Sequence, residues 1–103
     1  MFEYVVGLEV IDDEIYSEYR KNMMPILKTF KGGFGYDFKI DEVLKSEVKA
    51  PINRVFTIFF PDKQTADDFF SDSEYLKIKE TYFEKSVKST TIIAEVTKNK
   101  DDE

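Results

Sequence analysis

Apolar residues alternate with period two over Phe2–Val10. Phe2, Tyr4, Val6, Leu8 and Val10 share one face, while Glu3, Val5, Gly7 and Glu9 make a mixed one. With so many β-branched and aromatic residues, that spacing predicts a strand. The period then lengthens. Ile15, Tyr19, Met23, Ile26, Leu27 and Phe30 recur at helical spacing behind a cap from Asp12 or Asp13. Acidic residues 12–14 lie at the start of this run and Lys28 and Lys31 at its end, as the helix dipole favours. Pro25 removes a backbone donor and crowds the carbonyl four residues back, which predicts a kink or break near residues 21–24. Gly32-Gly33 is predicted to end the helix, one of the pair taking the left-handed conformation.

Alternation returns at Phe34–Ile40, with Phe34, Tyr36, Phe38 and Ile40 on one face and Gly35, Asp37 and Lys39 on the other, the pattern of a half-buried strand. Residues 41–53 fit either an extended continuation or a short helical turn, closed by Pro51. Arg54–Phe60 is the most apolar strand; Arg54, Phe56, Ile58 and Phe60 back onto Val55, Thr57 and Phe59, so both faces call for cover. Two helices are predicted next. Gln64–Ser71 groups Ala66, Phe69 and Phe70. A second runs from Ser73 to about Lys85, with Leu76, Phe83 and Val87 on one line and Tyr75, Ile78 and Tyr82 on another. A last strand covers Lys88–Val96, Thr90, Ile92, Ala94 and Val96 lying opposite Thr91, Ile93 and Glu95. Residues 1–96 thus form one domain, and 97–103 a frayed polar tail.

The order β-α-β-β-α-β, with the second helix split, predicts a ferredoxin-like α+β fold: a four-stranded antiparallel sheet with helices on one side. The other side would then present aromatic and aliphatic surface to water. A second copy packed sheet to sheet about a twofold axis, a dimeric α+β barrel, covers it; the alternative is cover by residues 41–53.

Charge and composition narrow the chemistry. Acidic residues outnumber basic ones 21 to 15, a net charge of −6, which argues against a nucleic-acid partner. There is no Cys, His or Trp. That excludes disulfides, thiolate nucleophiles, His-based acid–base chemistry and His- or Cys-ligated zinc or haem, so neither a metal nor a cofactor is expected. The longest strongly apolar run, Val55–Phe60, is too short to cross a bilayer, and the N-terminus does not read as a signal peptide. The expected setting is cytoplasmic, without a membrane partner.

Several residues, taken in order, resemble a known family. Tyr16 and Tyr19, Pro25-Ile26-Leu27 and Lys31-Gly32-Gly33-Phe34 carry its first half. Pro51, Arg54, Phe59-Phe60-Pro61-Asp62, Ala66 and Ser73-Glu74-Tyr75 carry its second. On these the chain is similar to the DUF1330 family, a domain of unknown function, over roughly residues 1–96. The resemblance implies a dimeric α+β barrel. The wider superfamily it points to includes cofactor-independent monooxygenases, muconolactone-isomerase-like proteins, chlorite-dismutase relatives and haem-degrading proteins. The haem binders rely on His, absent here. The family's Arg after the Ser-Glu-Tyr segment is replaced by Lys77, Lys79 and Lys85, which lack the planar fork that grips a carboxylate.

The site candidates follow from residue type and place. Arg54 opens an apolar strand and would hold a carboxylate or enolate at a pocket mouth; otherwise it pairs with a nearby acid. Asp37, between Tyr36 and Phe38, becomes a usable base if it faces a cleft and desolvation raises its pKa; otherwise it faces solvent beside Lys39. Tyr16, Tyr19, Tyr36, Tyr75 and Tyr82 would line an aromatic cavity with hydroxyls at its rim, or simply fill the core. The leading expectation is a homodimer that binds a small hydrophobic or aromatic molecule between sheet and helices, through Tyr16, Tyr19, Tyr36, Arg54 and Tyr75. The alternatives are a cofactor-independent oxygenase- or isomerase-like enzyme using Arg54 and Asp37, and a non-catalytic interaction module.

Overall fold

The computed structural model describes residues 1–98. Its elements, in chain order, are β1 (Phe2–Val10), α1 (Asp13–Thr29), β2 (Gly33–Lys39), β3 (Arg54–Phe60), α2 (Lys63–Phe70), α3 (Ser73–Ile78), a π-helical turn (Lys79–Phe83), α4 (Glu84–Ser86) and β4 (Val87–Thr97). The strands form one antiparallel sheet in the order β2-β3-β1-β4, the ferredoxin-like arrangement.

The helices begin where acid side chains can answer free backbone donors. Asp12, Asp62 and Asp72 accept from the amides of Ile15, Thr65 and Tyr75 at the heads of α1, α2 and α3. Helix α1 runs unbroken through Pro25, contrary to the expected kink or break. The carbonyl that Pro25 leaves without a donor belongs to Lys21, on the exposed side where solvent can reach it, while buried Tyr19, Met23 and Leu27 hold the helix on the sheet.

The end of α1 also departs from expectation. Neither Gly32 nor Gly33 is left-handed; Lys31 is, with φ 59°. The Gly32 amide donates to the Leu27 carbonyl and the Lys31 amide to that of Lys28, a Schellman close with lysine in the left-handed place. The glycines serve close approach instead. A Cβ on Gly32 would lie 2.6 Å from Leu27 Cδ1 and 2.9 Å from the Phe59 carbonyl oxygen, and one on Gly33 2.6 Å from the Phe59 ring.

Between β1 and β3 the register is unbroken: Phe2 faces Phe60, Tyr4 faces Ile58, Val6 faces Phe56 and Leu8 faces Arg54. These residues meet Tyr16, Tyr19, Met23, Leu27, Phe69 and Tyr75 from the helices and make the core. The two edge strands are different. In β2, Phe34 faces Ile58 but Asp37, not Tyr36, faces Phe56. One extra residue is inserted, a β-bulge, and the alternation resets. Asp37 and Lys39 therefore join Phe34 on the helix side, while Tyr36 and Phe38 turn to the open side, 65% and 52% exposed. The Thr57 hydroxyl accepts from the Tyr36 amide at 2.8 Å and so holds the bulge. The same happens in β4. Val5 faces Ala94 but Val6 faces Ile92, so Ile92 and Thr90 face the helices while Ala94 and Val96 fall on the other side.

The π-helical turn, with its extra residue, brings the Phe83 ring to 5.0 Å from that of Tyr19, on the inward side with Tyr75, and leaves Leu76 exposed rather than in line with it. Residues 41–53 form neither strand nor helix. Asn53 anchors their end: its side chain exchanges two hydrogen bonds with the Val10 backbone, each 2.8 Å. Ile52 lies against Gly7 on the open face, but Val43, Leu44 and Val48 remain exposed. Of the expected tail, Thr97 belongs to β4 opposite Phe2, and the Lys98 amide donates to the Met1 carbonyl; residues 99–103 lie outside the described residues. No helix among the described residues is long and apolar enough to cross a membrane.

Candidate functional site

Between the sheet and α1, α2 and the π-helical turn lies a cavity of about 270 Å³. Val6, Leu8, Phe56 and Ile58 form its floor. Tyr16, Tyr19, Met23, Tyr75 and Phe83 form its roof, and Arg20 and Phe34 lie toward the β2 side. Ile92, half-exposed and paired with inward-facing Val6, stands at its rim with Thr90. The space exists because large rings pack edge to face and leave a gap no side chain fills. Tyr19 stands at 66° to Tyr75 and Phe70 at 79° to Tyr75.

The tyrosine hydroxyls are arranged in pairs. Those of Tyr19 and Tyr75 are 2.8 Å apart, and Tyr16 accepts from Arg20 Nε at 2.8 Å. Burial pushes all three phenols above their usual range, Tyr19 furthest, because its charged form would also meet Tyr75. At neutral pH they are hydrogen-bonding groups, not proton acceptors.

At the β2 side the bulge delivers Asp37 between two guanidiniums. Arg54 grips it with both ends of its fork, Nε to Oδ1 and Nη2 to Oδ2, each 2.8 Å. Arg20 Nη1 reaches Oδ2 at 3.2 Å. The Arg54 hydrogen bond, opposed by partial burial and helped by Arg20, holds the Asp37 carboxyl below the usual carboxylate range. The desolvated base with a raised pKa, expected if this face looked toward the helices, is not what forms. Asp37 does face that way, but the arginines stabilise its charge and weaken it as a proton acceptor.

Of the tyrosines and the arginine expected to share one site, Tyr16, Tyr19 and Tyr75 come together around the cavity. Tyr36 does not: the bulge sends it to the opposite face of the sheet, stacked on Phe38 at 5.7 Å. Arg54 does not line the cavity either; it lies over the Tyr16 ring, 5.1 Å from its centre, committed to Asp37. Tyr82 lies outside the cavity, in a shallow surface hollow with Ile15 and Glu18. The residue sequence reasoning missed is Arg20, which lines the cavity with its guanidinium 3.9 Å from the centre of the Phe34 ring. A signal was present: Arg20 follows Tyr16 by one helical turn, so it shares the inward stripe with Tyr16, Met23 and Leu27.

Comparison with known proteins agrees with this architecture. A Rhodopseudomonas palustris protein of unknown function superposes with TM-score 0.76 at 13% identity, over 96% of this chain and 82% of that one. An uncharacterized NIPSNAP domain protein from Burkholderia xenovorans superposes at 0.67 with 9% identity, over 97% and 96%. A dabb family protein with a ferredoxin-like fold from Mesorhizobium loti superposes at 0.56 with 10% identity, over 95% and 96%. At such identities the likeness concerns the fold alone. No curated protein matches the chain in sequence. The sequence profile of one family matches residues 4–96, nearly the whole described chain, and the protein accordingly belongs to the DUF1330 family, a domain of unknown function.

Proposed function

We propose that this protein is a cytoplasmic homodimer that takes up a small hydrophobic or aromatic molecule between its sheet and its helices. The observation that carries the reading is the aromatic cavity of about 270 Å³. An apolar void of roughly 150 Å³ is enough to hold benzene, so this one suits a single ring with a short substituent. Neighbouring rings supply the affinity and the tyrosine hydroxyls supply orientation. The homodimer is supported by the open face, where Tyr36, Phe38, Val43, Leu44, Val48 and Ile93 leave a large apolar surface that Ile52 only begins to cover. A second copy of the same face is the simplest partner.

The enzyme alternative loses ground, because its proposed base is locked in an ion pair and its proposed anion holder is the other half of that pair. Native mass spectrometry on protein purified without added ligand tests the reading, together with xenon uptake followed by methyl resonances of Met23 and Ile58. A dimer with small-molecule mass, or with xenon entering beside those methyls, supports it. A monomer removes the dimer, and a cavity closed to xenon removes the binding site in favour of a pure interaction module.

A further inference from the structure

Resting on that cavity reading, we propose that the molecule it takes is a small apolar carboxylate, a one-ring acid in size, with Arg20 as its charge partner. The cavity is otherwise an aromatic and aliphatic enclosure. Among the described residues, Arg20 is the one charged side chain lining it, and no acidic side chain does so. Its side chain is 14% exposed, and the guanidinium packs among the rings of Phe34, Phe56 and Tyr16, at 3.9, 4.8 and 5.1 Å from their centres. Those faces fix its plane and keep water from it.

The donors of Arg20 are unequally used. Nε is given to the Tyr16 hydroxyl and Nη1 to Asp37, whereas Nη2 is buried without an acceptor among the described residues. A charged donor left unanswered in an aromatic enclosure is costly, and an anionic oxygen removes that cost where a neutral molecule of equal shape removes less of it.

The local charges point the same way. Two guanidiniums face one carboxylate, and that carboxylate is spent first on Arg54, whose two bonds are both 2.8 Å, against 3.2 Å for Arg20. Asp13 and Lys39, which share a surface hollow with Arg54, face each other at 3.6 Å and offset one another. One positive charge is therefore left over, and it sits on the arginine at the cavity wall. The Tyr19–Tyr75 pair adds a second donor for an anion: one hydroxyl hydrogen is used between them and the other remains.

The test compares phenylacetate with phenylacetamide, which share a ring and a shape but differ in charge. Titration calorimetry on the wild-type protein is expected to show phenylacetate binding at least tenfold more tightly. The guanidinium nitrogen resonances of Arg20 should move with the acid and not with the amide. Arg20→Met should bring the two affinities together, with Arg54 still holding Asp37 in place. Arg20→Lys, which keeps charge without the fork, should fall between. Equal binding of both probes by the wild type overturns the carboxylate assignment and leaves the cavity reading standing, as does xenon entry with neither probe bound. Selectivity that persists in Arg20→Met, or Arg20 resonances that ignore the acid, overturns the role of Arg20. A cavity closed to xenon and to both probes removes the underlying reading as well.

Discussion

The central strands β1 and β3 and the edge strands β2 and β4 obey different rules, although all four read as alternating segments. In the central pair every residue keeps its expected side, because each strand is held by neighbours along both edges and a slipped register would turn a whole apolar face to water. Each edge strand has one neighbour only, and each breaks register, β2 once and β4 twice. The consequence is chemical. The regular pair supplies the floor of the cavity, whereas the bulges supply what borders it, Asp37 behind the lining Arg20 at one side and Ile92 at the rim on the other. Stability resides in the centre and the features of the site at the margins.

That division can be broken most forcefully at the centre. Leu8 is almost wholly buried on β1 and lines the cavity floor. Leu8→Ala is expected to cost about 3 kcal/mol, the usual price of enlarging a core void. Chemical denaturation would measure it, and the Asp37–Arg54 pair should survive. An equal loss from truncating Ile92 at the edge would erase the distinction between centre and margin.

The β2 bulge offers the next test. A Cβ on Gly35 would lie 2.6 Å from Thr57 Oγ1, the acceptor for the Tyr36 amide. Gly35→Ala should therefore cost about 2 kcal/mol through crowding and loss of that bond. In a Thr57→Ala background the same substitution should cost clearly less, because the crowding atom is gone. Simple additivity in denaturant melts would show that Thr57 does not hold the bulge.

Asp37→Asn probes what the bulge delivers. It leaves two partly buried guanidiniums facing each other, and a loss of about 2 kcal/mol at neutral pH is expected, a figure between exposed and buried pairs. The pH dependence has a definite sign. The native carboxyl is held below its unfolded value, so its contribution is present above the ordinary carboxylate range and disappears as the pH falls through the depressed native value. The gap between wild type and variant should therefore be flat near neutrality and close only in acid. A gap that stays constant into strong acid would mean that the pair contributes nothing to folding.

What could be read in advance follows the same divide. The limits of β1 and β3 and the acid cap of α1 were legible, because period, burial and capping agreed there. The assignment of side chains to faces in β2 and β4 was not. A bulge shifts parity without changing composition, and the only trace in β2 is a glycine among aromatics. The cavity was legible as three tyrosines and blurred by two more, Tyr36 on the wrong side of that shift and Tyr82 in a surface hollow. Arg20 escaped because a charged residue on a helix is ordinarily solvated, and only its one-turn spacing from Tyr16 betrayed it.

The smallest expected effect concerns the turn that launches β2. Sequence pattern assigns left-handed backbone to Gly32 or Gly33, yet Lys31 carries it and the glycines are kept by crowding from Leu27 and Phe59. A non-glycine residue held there is strained relative to glycine, though glycine loses more freedom on folding. Lys31→Gly is therefore expected to raise stability by a net of about 0.5–1 kcal/mol, read as a higher denaturation midpoint at unchanged slope. Gly32→Ala should act in the opposite direction, since its Cβ has no room. If both substitutions instead destabilise, backbone strain at Lys31 is not what limits the turn. The side chain of Lys31 would then be doing something that glycine cannot, and the start of the bulged edge would be set by that contact rather than by local geometry.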